Sequence, residues 1–438
     1  MKIAIIGSGI SGLVAAYQLH SEHDVTVYEA NSYIGGHTNT RTVQHQGHDF
    51  HIDTGFIVFN DRTYPNFIKL LDELGVHSQP TSMSFSVRNQ KNGLEYNGTS
   101  LNGFFAQRRN LFRPQFYRFL REIVRFNREG TELAITDEES DLTVAQFLKE
   151  GGYSRFFAEH YLLPMGAAIW SCPPETFANF PMQFIAQFYH HHGLLSLKDR
   201  PTWRVIEGGS QEYVKRLTAP FQDRIELNTP VQKVERQADC VRLHFANGQP
   251  QEFDEVIFAC HSDQALGLLP DADMVERELL HQFPYSRNTA ILHTDISVLP
   301  RSRRAWANWN YHVREDQTRQ ATVTYNMNML QHLDTTKLPD EAVFCVTLNE
   351  SELIDPDKVL YRAAYSHPIY TTGRLAAQRR HYEVIRRNRT SFCGAYWGNG
   401  FHEDGVKSAM AVVEQFQDPD PKSDRGSIPA ALSYGSRI

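Results

Sequence analysis

Glycines and one acid, at fixed spacing, make the first chemical statement in this chain. Gly7-Ser8-Gly9-Ile10-Ser11-Gly12 follows the apolar run KIAII and leads into the helix-like LVAAYQLH; VTVYEA then carries Glu29. The order predicts strand, glycine turn, helix and second strand. In such a unit Gly7 permits the tight turn, Gly9 admits a dinucleotide's diphosphate to the backbone, and Gly12 lets helix and strand close together. Unpaired N–H groups at the helix start face the anion. Glu29 can accept hydrogen bonds from ribose hydroxyls, and its charge disfavours a 2′-phosphate.

Two further glycine-marked stretches follow the same logic. Gly35-Gly36-His37-Thr38-Asn39-Thr40-Arg41 comes almost at once, then HIDTGFIVF with Asp53-Thr54-Gly55. Near the other end, FCGAYWGNGFHEDGVKSA reads as a strand ending in Gly394, a loop through Gly400, and a helix opened by Glu403-Asp404-Gly405. The series GSGISG, VYEA, GGHTNTR and DTG resembles the flavin-containing amine oxidase superfamily. That group includes monoamine and polyamine oxidases, protoporphyrinogen oxidase and phytoene desaturase-type enzymes.

The resemblance implies non-covalent FAD. It implies contacts from Gly7, Ser8, Gly9, Ser11, Gly12, Glu29, Ala30, Gly35, Gly36, His37, Thr38, Asp53, Thr54 and Gly55. It adds Val231 in a small β-meander, and Gly394, Gly400, Asp404, Gly405 and Val406 in the last segment. His37 stands where the family usually has arginine. Ala395 and Tyr396 occupy the region of a usual acid.

The elements that must position these residues are legible in outline. An α/β fold is expected, with a Rossmann-type FAD domain (parallel sheet plus β-meander) and an interleaved α+β substrate domain. The FAD domain takes residues 1–81, 205–283 and 386–417, the substrate domain 82–204 and 284–385, and 418–438 is a disordered tail. WRVIEGGSQEYVKRL resembles the family's return to the flavin domain, and Asn247-Gly248 marks a hairpin turn. Helical runs are expected at about 114–129, 143–150 and 176–190.

Composition narrows the partners. The 438 residues carry net charge −7, with 41% apolar and 22% charged residues, which argues against nucleic acid as the bulk partner. Five scattered cysteines form no CxxC pair, so free thiols are expected. Neither a secretory leader nor a run of membrane-span length is evident, which predicts a cytoplasmic protein. Oligomeric state is left open.

Candidate chemistry beyond the cofactor is thinner. Thr289–Ile296, the strand comparable to one bearing a lysine in many amine oxidases, has none. His293 is its mid-strand ionisable group, either functional or a packed strand histidine. Tyr396, Trp397 and His402 fall where the resemblance places the lining of the flavin face, with ordinary packing as the alternative. His190-His191-His192 point in different directions on a helix and suit no metal. Arg118, Arg121, Arg125 and Arg128 form a basic helical stripe, either solvated or resting on an anionic membrane. GGHTNTR and AAIWS also resemble bacterial amine-oxidase-like flavoproteins suspected of acting on fatty acyl chains.

Removal of hydride from a C–C or C–N bond of an apolar, possible lipid substrate is the reading expected. An amine oxidase is the first alternative. The other is a non-catalytic binder of prenylated proteins with the fold of Rab GDP-dissociation inhibitors, against which the three glycine segments speak.

Overall fold

The computed structural model describes residues 1–136, 140–196, 198, 200–314, 322–338, 340–349, 352–371 and 373–417. The expected tail, 418–438, lies outside the described residues. The elements that position the site, in chain order, begin with β1 (Lys2–Ile6), α1 (Ile10–Leu19) and β2 (Asp24–Tyr28). Next come α2 (Pro114–Ile135), β3 (Glu255–Phe258), β4 (Tyr285–His293), β5 (Val359–Pro368), β6 (Thr390–Phe392) and α3 (His402–Gln417).

Short apolar strands such as KIAII suit a sheet covered on both faces. They form a five-stranded parallel sheet in the order Ile225–Glu226, β2, β1, β3, β6. Its register sets Ile6 beside Tyr28 and Phe258, and Phe258 beside Phe392. Strands that end in line deliver their next residues in line. Gly7, Glu29, Ala259 and Cys393 therefore leave one edge together, at the carboxyl ends where ligands of open α/β sheets bind. All five strands fall within 1–81, 205–283 and 386–417.

A seven-stranded mixed sheet, with β5 at one edge paired antiparallel to β4, draws all its strands from 82–204 and 284–385. An aromatic core joins it to the helices of that half, with Phe116, Phe119, Phe126, Phe157, Phe177 and Tyr189 nearly inaccessible to solvent. The expected helical runs correspond to α2, Val144–Glu150, and the separate pieces Pro174–Phe177 and Met182–His191. Val231–Arg236, Val241–Phe245 and Gln251–Phe253 form the three-stranded meander. Among the described residues no helix is long and apolar enough to cross a membrane.

Candidate functional site

One cavity of about 860 Å³ runs from the carboxyl edge of the parallel sheet into the aromatic half. Its first wall is the glycine turn. Gly7 adopts φ +110°, and a Cβ there would lie 2.9 Å from the carbonyl oxygen of Ala259, so glycine is required. Gly9 differs: its φ of −69° is ordinary and a Cβ would meet no atom within 4 Å. The fold itself does not need glycine at residue 9. What needs it is whatever enters the cavity at the N-terminus of α1, as a diphosphate would.

Glu29 reaches the same wall. Its carboxylate accepts from Ser8 N at 3.0 Å and Ser8 Oγ at 2.6 Å, and from Asn31 N at 2.8 Å and Nδ2 at 2.7 Å. It therefore ties the glycine turn to the end of β2 as well as facing the cavity. Gly35 and Gly36 continue the wall; a Cβ on Gly36 would lie 3.1 Å from the Cα of Gly9. Ser11, Ala30, His37, Thr54, Gly55, Val231, Gly394 and Gly400 also line the cavity. An open cradle at Gly9, a helix N-terminus and an acid at the end of β2 fit FAD.

Other expected residues act behind this lining. Thr38 is buried, with its Oγ1 bonded to Tyr213 Oη at 2.5 Å and His402 Nε2 at 3.0 Å. Asp53 accepts from Ser210 N at 2.9 Å, Ser210 Oγ at 2.7 Å and Thr40 Oγ1 at 2.5 Å, latching the return segment to the first. Burial pushes its pKa up to about 6 against those bonds. Gly12, Asp404, Gly405 and Val406 lie outside the lining too. A Cβ on Gly12 would lie 2.0 Å from Gly7 O, and one on Gly405 would lie 2.7 Å from Ile10. Asp404 accepts from Phe401 N at 3.0 Å. These residues shape the cradle without facing it.

The expected catalytic groups separate in the same way. His293 lies outside the cavity, fully buried, with Nε2 2.7 Å from Thr347 Oγ1 and Nδ1 accepting from Asp295 N at 3.0 Å, as the packed strand histidine of the two expectations would. It ends β4, eight residues along the strand from Tyr285, which does line the cavity. Trp397 lies outside the lining too, stacked on His381 at 4.2 Å in the core that packs on the parallel sheet. Tyr396 and His402 do reach the lining. His402 is wedged at 3.4 Å against Phe56 and bonded to Thr38 and Tyr213, and burial drives its pKa well down.

Sequence reasoning passed over a second group. His37, His261 and His367 come together, with ring centroids 6.1 Å (His37–His261) and 5.3 Å (His37–His367) apart. Loss of bulk water, then mutual repulsion, holds them at about 4, 4 and 3, so all three are neutral at pH 7. Asn288 donates to His367 Nδ1 at 2.9 Å. In the sequence His261 directly follows the largely apolar run Glu255 to Cys260, which is a visible signal; nothing there shows which face of β5 carries His367.

The far wall is aromatic. Trp170 packs on Phe188 at 4.8 Å, Phe188 on Phe401 at 5.3 Å, and Trp309 on Tyr325 at 4.9 Å. Among the lining residues Glu29 is the one carboxylate, and there is no lysine or arginine. Among the described residues no group of three or more His, Cys, Asp or Glu is arranged to hold a metal.

Comparison with known proteins agrees with this geometry. A flavin-containing monoamine oxidase of Mycobacterium tuberculosis (strain CDC 1551 / Oshkosh), AofH, is 24% identical over 300 residues, 66% of this chain and 63% of that protein. The chain thus spans under two thirds of that curated relative. Cyclohexylamine oxidase from Brevibacterium oxydans IH-35A shares the fold at TM-score 0.66 and 17% identity, covering 95% of this chain and 99% of its own. A CLA-producing fatty acid isomerase from P. acnes does so at 0.67 and 16%, with the same coverage. The family profile of flavin containing amine oxidoreductases matches residues 10–415. With nearly its whole length matched and its glycine segments gathered at one cavity, the chain belongs to the flavin containing amine oxidoreductase family.

Proposed function

We propose that the protein is an FAD-dependent oxidoreductase that removes hydride from a C–C or C–N bond of a neutral, apolar substrate, with an acyl chain the best fit. Bound FAD supplies the two-electron acceptor. The α1 N-terminus and Gly9 receive the diphosphate, while Glu29 holds the adenosine side of the cradle. Trp170, Phe188, Phe401 and Tyr370 bind the substrate by apolar contact and keep water from the reacting bond. His37, His261 and His367 stay uncharged and add no charge to their part of the cavity.

The observation that carries this reading is the lining itself. An alkylammonium entering the cavity meets no carboxylate beyond Glu29, whose oxygens already serve Ser8 and Asn31. An acyl chain meets aromatic and aliphatic walls along its length. That one fold serves both a cyclohexylamine oxidase and a fatty acid isomerase is compatible with either substrate. The aromatic faces favour one second reading, amine oxidation, because ring faces attract cations.

Anaerobic mixing separates the two. Mono- and polyamines should leave the flavin oxidised, while members of a panel of unsaturated and branched acyl esters bleach it. Rapid bleaching by a simple amine would reverse the assignment. The working place proposed is the cytoplasm, with a lipid substrate met at a membrane surface.

A further inference from the structure

We propose that the surface formed by the helix Leu101–Phe104, the turn Arg108–Phe112 and the start of α2 docks on an anionic lipid bilayer. Charge is the first observation. Residues 98–121 carry five arginines and no acid, in a chain whose net charge is −7. The first acid after them, Glu122, is buried; it pairs with Arg118 at 3.3 Å and accepts from Ser154 N at 3.0 Å and Ser154 Oγ at 2.5 Å, which leaves the other four arginines without an acid partner among the described residues. The guanidinium groups of Arg113 and Arg121 have no hydrogen-bond or ion-pair partner among the described residues.

Exposed apolar side chains are the second. Phe112 is 87% exposed and Leu101 69%, with Leu111 and Tyr117 also exposed. The pieces form one surface: Tyr117 Oη donates to Leu111 O at 2.9 Å, and Arg108 donates to Asn102 Oδ1 at 2.5 Å. Arginines beside projecting phenylalanine and leucine match a bilayer interface, where phosphates meet the cations and the apolar tips enter the acyl boundary. A nucleic acid would use the arginines and leave Leu101, Leu111 and Phe112 in water.

Of the basic stripe expected along the whole helix, only Arg118 and Arg121 fall in this surface. Further along α2, Arg125 and Arg128 pair with Glu129 and Glu132 at 3.6 and 3.9 Å, and Phe116, Phe119 and Phe126 are buried in the core. Docking is confined to its first turns and the two short elements before them.

The proposal rests on the apolar-substrate reading for its purpose, since a docked enzyme receives a lipid that never crosses water; its evidence is separate. The test is co-sedimentation of the full-length holoprotein with phosphatidylglycerol or phosphatidylcholine vesicles. Binding is expected to the anionic vesicles only, fading as salt rises. Replacing two surface cations, Arg113→Gln with Arg121→Gln, should weaken it about thirtyfold. Leu111→Ser with Phe112→Ser should weaken it about tenfold through lost insertion. Flavin content and circular dichroism should stay unchanged in both.

Equal binding to neutral vesicles, either double variant binding like the parent, or displacement from vesicles by single-stranded RNA would overturn docking. Lost vesicle binding does not touch bleaching by a water-dispersed acyl ester, so the surface and the substrate reading fail separately.

Discussion

Gly9 and Glu29 test the cradle at the scale of single residues. A Cβ at residue 9 meets no atom within 4 Å and the backbone there is ordinary, so Gly9→Val should purify folded and colourless. Flavin absorbance per protein after dialysis, beside an unchanged circular dichroism spectrum, is the measurement; retained colour would remove Gly9 from the cradle. Glu29→Ala should weaken FAD by about 1–3 kcal/mol, because it removes a charged acceptor and frees Ser8 and Asn31. Buried histidines away from the cavity set a pH response. Burial lowers His293 and His381 to about 4, from 6.5 in the unfolded chain. Their stabilisation is complete above pH 6.5 and is lost as pH falls towards 4, where the unfolded state binds more protons. At about 1.4 kcal/mol per unit, the pair accounts for a loss on the order of 5 kcal/mol by pH 4. Urea midpoints at pH 7 and 4.5 should show the drop, and His293→Gln should reduce it.

Gly12 and Gly405 act at the scale of elements, by setting how closely α1 meets β1 and α3. Gly12→Ala places a methyl 2.0 Å from Gly7 O, so α1 must lift from the turn it covers. A loss of about 1–3 kcal/mol is expected from overpacking, read as a lower urea midpoint. Flavin occupancy should fall with it, because the α1 N-terminus moves. This pattern is the reverse of Gly9→Val, which empties the site without unfolding it. Asp53 does comparable work between segments: its bonds to Ser210 and Thr40 hold the returning chain against the hairpin Thr40–His45 and His48–Asp53.

For the whole molecule the expected product is a yellow protein from which acid precipitation releases all flavin. Cys393 is fully buried behind the lining. Cys260 faces the cavity, but burial raises its thiol to about 12, which leaves it protonated and a poor nucleophile. Colour retained in the acid pellet would contradict non-covalent binding and direct attention to Cys260. The parallel-sheet strands and the mixed-sheet strands alternate along the chain, so the parallel sheet closes only when residue 390 pairs with β3, after the last mixed-sheet strand has been passed.

Local chemistry determined what could be read in advance. Gly7, Gly9, Gly35 and Gly36 were legible because backbone geometry and ligand approach depend on the residue and its neighbours. The parallel unit was legible from apolar runs punctuated by turns. Tertiary structure alone decided which side chains face the cavity. Asp53 and Thr38 sit in the expected segments yet turn to Ser210 and Tyr213, while His261 and His367 arrive from strands far apart in sequence to meet His37. His293 and Tyr285 share a face of β4 by alternation, but they sit at its opposite ends, and only Tyr285 lies where the strand meets the lining. The neutrality of the substrate half was likewise hidden: it depends on every charged residue except Glu29 finding a place elsewhere, which no single stretch of sequence records.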